Sequence, residues 1–297
     1  MIIDYKKAGV NRKLGDQASR IFFEKSKLTW ENRRGMFGEI IECGHNFFSH
    51  RYSLLKGYNN LLFGINYDGI GTKTEIAERM KCHSTIAFDL FAMVCDDAAI
   101  RGYEPIHFGS ILDFNKISIA IIEQLSDGMV QAAKNAKVAV INGEVAEIGD
   151  RVCGYGESSY NWGGSIFWAA NENNIIFGDK VRPGQKIIGL REFGLRSNGI
   201  SLIRKAFEKE YGKEWHNMHI NNCILGEVVL KPSIIYSPFI LEMSGGCSSN
   251  KITEIAGMAH ITGGGIPEKL GRLLKVTGYG AAIVTPFPPC ETGSSSR

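Results

Sequence analysis

A strand-like run, Leu61-Leu62-Phe63-Gly64-Ile65, leads straight into Asn66-Tyr67-Asp68-Gly69-Ile70-Gly71-Thr72-Lys73. An apolar run of that length, halted by glycines, reads as a buried strand entering a tight turn. Asp68, Gly69, Gly71, Thr72 and Lys73 fall within six residues. Glycine lets backbone N–H groups approach a phosphate, lysine adds positive charge, and aspartate can hold a divalent cation. The segment is not a Walker loop, which needs glycine where Thr72 stands, nor a dinucleotide fingerprint, which needs glycine at Thr74. A glycine turn after a strand also serves simply as a turn, and these letters alone leave both readings open.

Beyond this segment, strand-like and helix-like runs alternate, which argues for an α/β or α+β class. Residues 88–101 and 117–136 read as helices, the second with Ile117, Ile121, Leu125, Met129, Ala132 and Ala136 at three- and four-residue steps. Strands are expected at 106–112, 138–141, 163–170 and 186–190. Further helices are expected at 198–211 and at 226–240, the latter interrupted by Pro232. The polar run Asn171-Glu172-Asn173-Asn174 marks a domain boundary, giving 1–170 and 171–297.

With 297 residues, 44% hydrophobic and 22% charged, the chain can bury one large core or two ordinary ones. A net charge of +3, with lysines and arginines scattered, gives no nucleic-acid footprint. No apolar stretch approaches the ~20 residues of a membrane span, and Met1 to Lys7 lacks a signal-peptide core, so a cytoplasmic protein is expected. Seven cysteines, widely spaced and without a C-x-x-C pair, suit reduced thiols. His216 and His219 have no third ligand nearby and read as surface residues.

Asp96 and Asp97 sit side by side in an otherwise apolar helix, and Asp89 lies seven residues before Asp96 on nearly the same face. Clustered carboxylates repel unless solvated or supplied with a cation, and oxygen-only ligands suit magnesium arriving with a nucleotide. Asp68 and Glu144, each just after a strand-like run, are placed where α/β sheets set their ligands. The alternative is local: Asp89 as a helix cap, with Asp96 or Asp97 paired to Arg101. Two anion sites are also suggested. In Gly194-Leu195-Arg196-Ser197-Asn198-Gly199, Ser197 or Asn198 can cap the next helix, whose first N–H groups welcome phosphate beside Arg196. The same letters also describe an ordinary capped helix. Farther on, Thr262-Gly263-Gly264-Gly265 precedes Pro267 and follows His260, and a site is favoured there over a plain flexible loop.

In order and spacing these segments resemble aminoimidazole ribonucleotide synthetase, the phosphoribosylformylglycinamidine cyclo-ligase family of purine biosynthesis. The resemblance runs from Tyr5-Lys6-Lys7-Ala8-Gly9-Val10 through Asp68-Gly69-Ile70-Gly71-Thr72-Lys73, Gly143-Glu144-Val145-Ala146-Glu147 and Ser197-Asn198-Gly199. It continues through Leu225-Gly226-Glu227, Lys231-Pro232 and Ile235-Tyr236 to Gly257 and His260-Ile261-Thr262-Gly263-Gly264-Gly265, nearly the whole chain. It implies a two-domain α/β enzyme that dimerises through its N-terminal halves and uses ATP and magnesium to phosphorylate an amide oxygen before ring closure. By that resemblance Lys73 neutralises phosphate charge, Asp68, Asp97 and Glu144 hold the metal, and Lys73, Arg196 and His260 are catalytic. Gly69, Gly71, Thr72, Asp89, Asn142, Gly143 and Glu144 line the nucleotide groove, while Ser197, Asn198, Thr262, Gly263, Gly264 and Gly265 face phosphate.

The chain also departs from the family's pattern. Arg196 stands in place of histidine, Asp96 of asparagine, Ser110 of aspartate (Asp113 being near enough to substitute), Asn142 of glycine and Asn161 of aspartate. The run from Pro286 to Arg297 does not supply the family's usual last helix and strand. Arginine cannot act as a base at neutral pH, so proton transfer at position 196 is questioned. The alternative readings are a relative with the same phosphorylation chemistry on another substrate, and a non-catalytic nucleotide-binding homologue.

Overall fold

The computed structural model describes residues 12–36, 39, 61–220, 222–247 and 250–284. The motif at 5–10, Cys43, Cys290 and the run from Pro286 lie outside the described residues. In chain order the elements are α1 (Arg12–Lys27), β1 (Leu61–Gly69), α2 (Lys73–Met80), α3 (Ile86–Ala99), β2 (Glu104–Phe114), α4 (Ile119–Ala136), β3 (Ala139–Glu147) and β4 (Tyr160–Asn171). The second half holds α5 (Ile200–Tyr211), β5 (His219–Ile220), β6 (Cys223–Ile224), α6 (Leu225–Leu230), α7 (Ser237–Ser244) and α8 (Gly265–Leu274).

Among the described residues, the long strands form one mixed sheet in the order β1-β4-β2-β3. β4 is antiparallel to both neighbours, and β2 runs parallel to β3. The parallel pair is joined by α4, the crossover that parallel strands require. α3 and α4 cover one face of the sheet, and Ile86, Leu90, Phe91, Val94, Phe108, Leu112, Leu125, Trp162 and Ile166 pack between them. Phe91 stacks on Phe108 at 4.1 Å between ring centroids.

β1 corrects the expectation of a buried strand. It is an edge strand, it runs on to Gly69, and Phe63, Ile65 and Tyr67 on its outer face are exposed. No helix of the described chain lies over that face, so period-2 alternation and not full burial governs the strand. Gly64 faces inward, where a Cβ would fall 2.1 Å from the Trp168 ring, so the indole occupies the place of a side chain.

The helices match the expected ones closely, with 226–240 split into α6 and α7 around the proline-bearing stretch 231–236. Residues 186–190 do not form a strand. Ile187 and Ile188 are 60% and 81% exposed, and among the described residues no strand meets their N–H and C=O groups. A β-branched run without a ladder partner has nothing to hold it extended.

His83 is buried beside the Tyr160 hydroxyl, 2.9 Å from Nδ1, and burial lowers its pKa from 6.5 to about 4. The unfolded chain therefore takes up this proton first. The stability from neutral His83 is complete above pH 6.5 and is lost as pH falls toward 4, about 3 kcal/mol in all. Chemical denaturation of His83→Gln should show a flatter loss of stability across that window than the parent protein. An unchanged slope would assign the acid sensitivity to other groups.

Candidate functional site

The carboxylates of α3 do not share one fate. Asp89 and Asp96, a helical repeat of seven apart, are 0% and 2% exposed and point toward the second half of the chain. Each has its cation within the protein. Lys73 Nζ donates to Asp89 Oδ1 at 2.8 Å, to the Leu195 carbonyl at 2.6 Å and to the Lys231 carbonyl at 2.7 Å. Ser233 Oγ donates to the same Asp89 oxygen at 2.5 Å. Three acceptors satisfy an ammonium completely, and Lys73 is 0% exposed. Burial lowers the Lys73 pKa and raises that of Asp89, while their mutual attraction opposes both shifts.

Arg196 repeats the arrangement one helical stretch later. Its Nη2 donates to Asp96 Oδ2 at 2.8 Å and its Nη1 to Glu192 Oε2 at 2.9 Å. In this structure Lys73 and Asp89 are enclosed and bonded to each other, and Arg196 is bonded to two carboxylates; arginine is neither acid nor base at neutral pH. The local alternative for Asp89, a simple helix cap, falls, because its partners come from distant segments.

Asp97, the next residue on α3, stays open, with its side chain 57% exposed. It lies 3.5 Å from His260 Nδ1, an ion-pair distance, and 3.5 Å from Asn66 Nδ2. Bonding to His260 lowers the Asp97 pKa against the cost of burial, helped by the charges of His260, Arg101 and Lys269. Asp68, at the end of β1, is raised by burial against its bond from the Gly69 N–H, and Asp97 raises it further. His260 and Lys269 act on both carboxylates. Two acids pushed in opposite directions at one place mark a candidate active site.

Helix N-termini surround this pair. Gly71, at φ +66°, turns the chain so that Thr72 precedes α2, and Thr72 Oγ1 lies 3.0 Å from Ser201 Oγ in the first turn of α5. Asn198, just before α5, accepts from the Gly263 N–H at 3.2 Å and so ties α5 to the glycine turn that opens α8. Gly264, at φ +88°, leaves no room for a Cβ, because the Glu268 carboxylate folds over it at 2.0 Å from that position. That turn already receives one anion, as free N–H groups favour. Ser197 Oγ and both ring nitrogens of His260 are buried and have no hydrogen-bond partner. These three atoms, the first turn of α5 and Lys269 close by suit a phosphorylated ligand.

Asp68, Gly69, Gly71, Thr72, Asp97, Ser197, Asn198, His260, Thr262, Gly263, Gly264 and Gly265 are thus gathered by the fold. Asn142, Gly143 and Glu144 are not. Asp68 lies opposite Gly164, Gly164 opposite Ser110, and Ser110 opposite Gly143, which sets three strand spacings, roughly 14 Å, between β1 and β3. Glu144 pairs with exposed Ile111 on the outer face, whereas Asn66 and Asp68 face α3. Of the expected trio, Asp68 and Asp97 lie together and Glu144 lies apart from them, and among the described residues no three metal-ligating side chains cluster. Ser201, Asn66 and Lys269 were missed by the sequence reading. Only Ser201, in the first turn after a capping motif, carried a local signal.

An α/β protein whose α2, α5 and α8 N-termini lie near two open carboxylates is what this fold and site define. The chain belongs to the AIR synthase related family. Its N-terminal domain model matches residues 57–161 and its C-terminal domain model residues 182–294. The chain is 33% identical to a phosphoribosylformylglycinamidine cyclo-ligase of Pyrococcus furiosus over 96% of its own length and 78% of that protein's. It is 34% identical to the cyclo-ligase of Crocosphaera subtropica over 92% and 76%. Among solved structures, thiamine-monophosphate kinase from Stenotrophomonas maltophilia K279a aligns with a TM-score of 0.46 at 13% identity, over 84% of this chain and 70% of that one.

Lys73→Met should remove a buried cation and leave Asp89 unpaired. The expected cost is about 3–5 kcal/mol by urea denaturation, largely relieved when Asp89→Leu is added. A stable single variant with weakened nucleotide binding would return Lys73 to the phosphates.

Proposed function

We propose that this protein closes the imidazole ring of aminoimidazole ribonucleotide, using ATP and formylglycinamidine ribonucleotide. The terminal phosphoryl group of ATP passes to the amide oxygen of the substrate, an internal nitrogen attacks the activated carbon, and phosphate leaves. The observation that carries the reading is the meeting of the α2, α5 and α8 N-termini beside Asp68 and Asp97 in a chain of this family. Phosphoryl transfer asks a protein chiefly for positioning and charge neutralisation. The first turns of α5 and α8, with Ser197, Asn198 and Thr262, would receive phosphate oxygens. Asp68 and Asp97 would hold magnesium, an ion that keeps several waters and usually takes only one or two protein carboxylates. Bound there, it would neutralise charge on the transferred group. His260, at ion-pair distance from Asp97 and with neither ring nitrogen hydrogen-bonded, is the group placed to exchange a proton with substrate.

The activity belongs to two domains, 1–170 and 171–297, and to a homodimer. The exposed apolar face of Phe63, Ile65, Tyr67 and Ile111 is where a second copy would rest. Asn142 and Glu144 share that face, so any contact they make with nucleotide would be made across the interface. No helix among the described residues is long and apolar enough to cross a membrane, and a cytoplasmic location accords with that. One observation favours a second reading. Arg196, in the place of the family's histidine, is locked in ion pairs, which would suit a relative acting on a different acceptor.

Incubation with ATP, magnesium and formylglycinamidine ribonucleotide should release ADP and aminoimidazole ribonucleotide in equal amounts. ADP release only with some other acceptor supports the second reading, and ATP binding without turnover marks a non-catalytic homologue. Asp97→Asn should cut turnover on the order of 100-fold with the melting temperature nearly unchanged. Full activity in that variant would remove Asp97 from the site.

A further inference from the structure

We infer that Asn66 is a positioning residue for Asp97, with its amide set by the Trp168 indole. The inference rests on the proposed reading of Asp97 as a metal carboxylate, and on nothing about the phosphoryl acceptor. The chain of contacts begins at Gly64, the residue opposite Trp168 where β1 pairs with β4. Because Gly64 has no Cβ, the indole lies across β1, and Tyr103 stacks on it with ring centroids 3.9 Å apart at 15°. Asn66, two residues beyond Gly64, shares its face of the strand and lies diagonally across from Trp168, within reach of a long aromatic side chain. Trp168 Nε1 donates to Asn66 Oδ1 at 3.1 Å.

That bond decides which way the amide points. An indole N–H can only donate, so the Asn66 atom facing it must be the carbonyl oxygen, and the NH₂ group is turned the other way. There it meets Asp97 Oδ2 at 3.5 Å. A reversed amide would set acceptor against acceptor at Asp97 and donor against donor at the indole. The two oxygens of Asp97 are thereby distinguished: Oδ2 faces the Asn66 donor, and Oδ1 lies 3.5 Å from His260 Nδ1. An open carboxylate otherwise turns readily about its last bond, and a donor on one oxygen restrains that rotation. Groups that orient metal-ligating carboxylates in this way are costly to remove. β1 thus supplies one proposed ligand, Asp68, and two residues earlier on the same face the group that orients the other.

Calorimetric titration of magnesium into the full chain with a non-hydrolysable ATP analogue tests this in Asn66→Ala, Trp168→Phe and the two combined. Asn66→Ala should weaken magnesium binding roughly ten-fold while lowering the melting temperature by no more than about 4 °C. Trp168→Phe keeps a ring but removes the N–H. It should weaken binding about three-fold, and the double variant should bind no more weakly than Asn66→Ala alone. Losses that multiply in the double variant overturn the relay, because the indole would then act on the site through packing. Should Trp168→Phe not fold, hydrogen exchange replaces it: the Trp168 indole proton should exchange faster in Asn66→Ala than in the parent, and an unchanged rate contradicts the bond. Asp97→Asn in the same titration separates this inference from the reading beneath it. Parent-like magnesium binding in Asp97→Asn, or none in the parent, sinks the metal reading and the inference with it. A loss in Asp97→Asn with none in Asn66→Ala overturns the positioning role alone.

Discussion

Helix α3 carries two carboxylates into the interior, and the packing of the second half on the first is arranged around neutralising them. Lys73 reaches Asp89 from α2, and Arg196 reaches Asp96 from the second half. Both cations also bind carbonyls of the stretches 195 and 231–234, which are thereby fixed along α3. Such buried pairs add little net stability over a well-packed apolar contact, but losing one partner is costly. Their effect here is to tie these stretches to α3, with Asp89 Oδ2 left buried and without a hydrogen-bond partner.

That seating is what creates the pocket. With Asp89 and Asp96 paired internally, Asp97 is the α3 carboxylate left facing outward, next to Asp68 and His260. The same stretches deliver Ser197 and Asn198 to the start of α5, and Asn198 draws in the glycine turn before α8. The groups proposed to face substrate and the buried ion pairs are thus adjacent in sequence at 96–97 and at 196–198. A change in the pairs is transmitted to the pocket by covalent neighbours.

The local elements could be read from the sequence because their signals are local. The apolar spacing of 117–136 and the alanine-rich run within 88–101 predicted α4 and α3 to within two residues at either end. The glycine turns at Gly71 and Gly264 and the polar residues around Ser197 are local signals, and the fold brings these segments near one another. What failed depended on distant partners. Lys73 has the look of a phosphate lysine within its own turn, and its burial is decided by carbonyls 122 and 158 residues away. Glu144 follows a strand as Asp68 does, but the order β1-β4-β2-β3 sets them far apart on opposite faces. The run 186–190 has strand composition and no ladder to join. For Asp89 and Asp96 the sequence left a bound cation and a local pairing with Arg101 both open; Lys73 and Arg196, their partners in the structure, are distant from them in sequence.

The most direct measurement is an experimental structure with a magnesium-bound ATP analogue. The account predicts the phosphates against the first turns of α5 and α8, with the metal on Asp68 and Asp97 and with Lys73 and Arg196 still paired to Asp89 and Asp96. Phosphates bound to a freed Lys73, or lying away from Asp68 and Asp97, would contradict it.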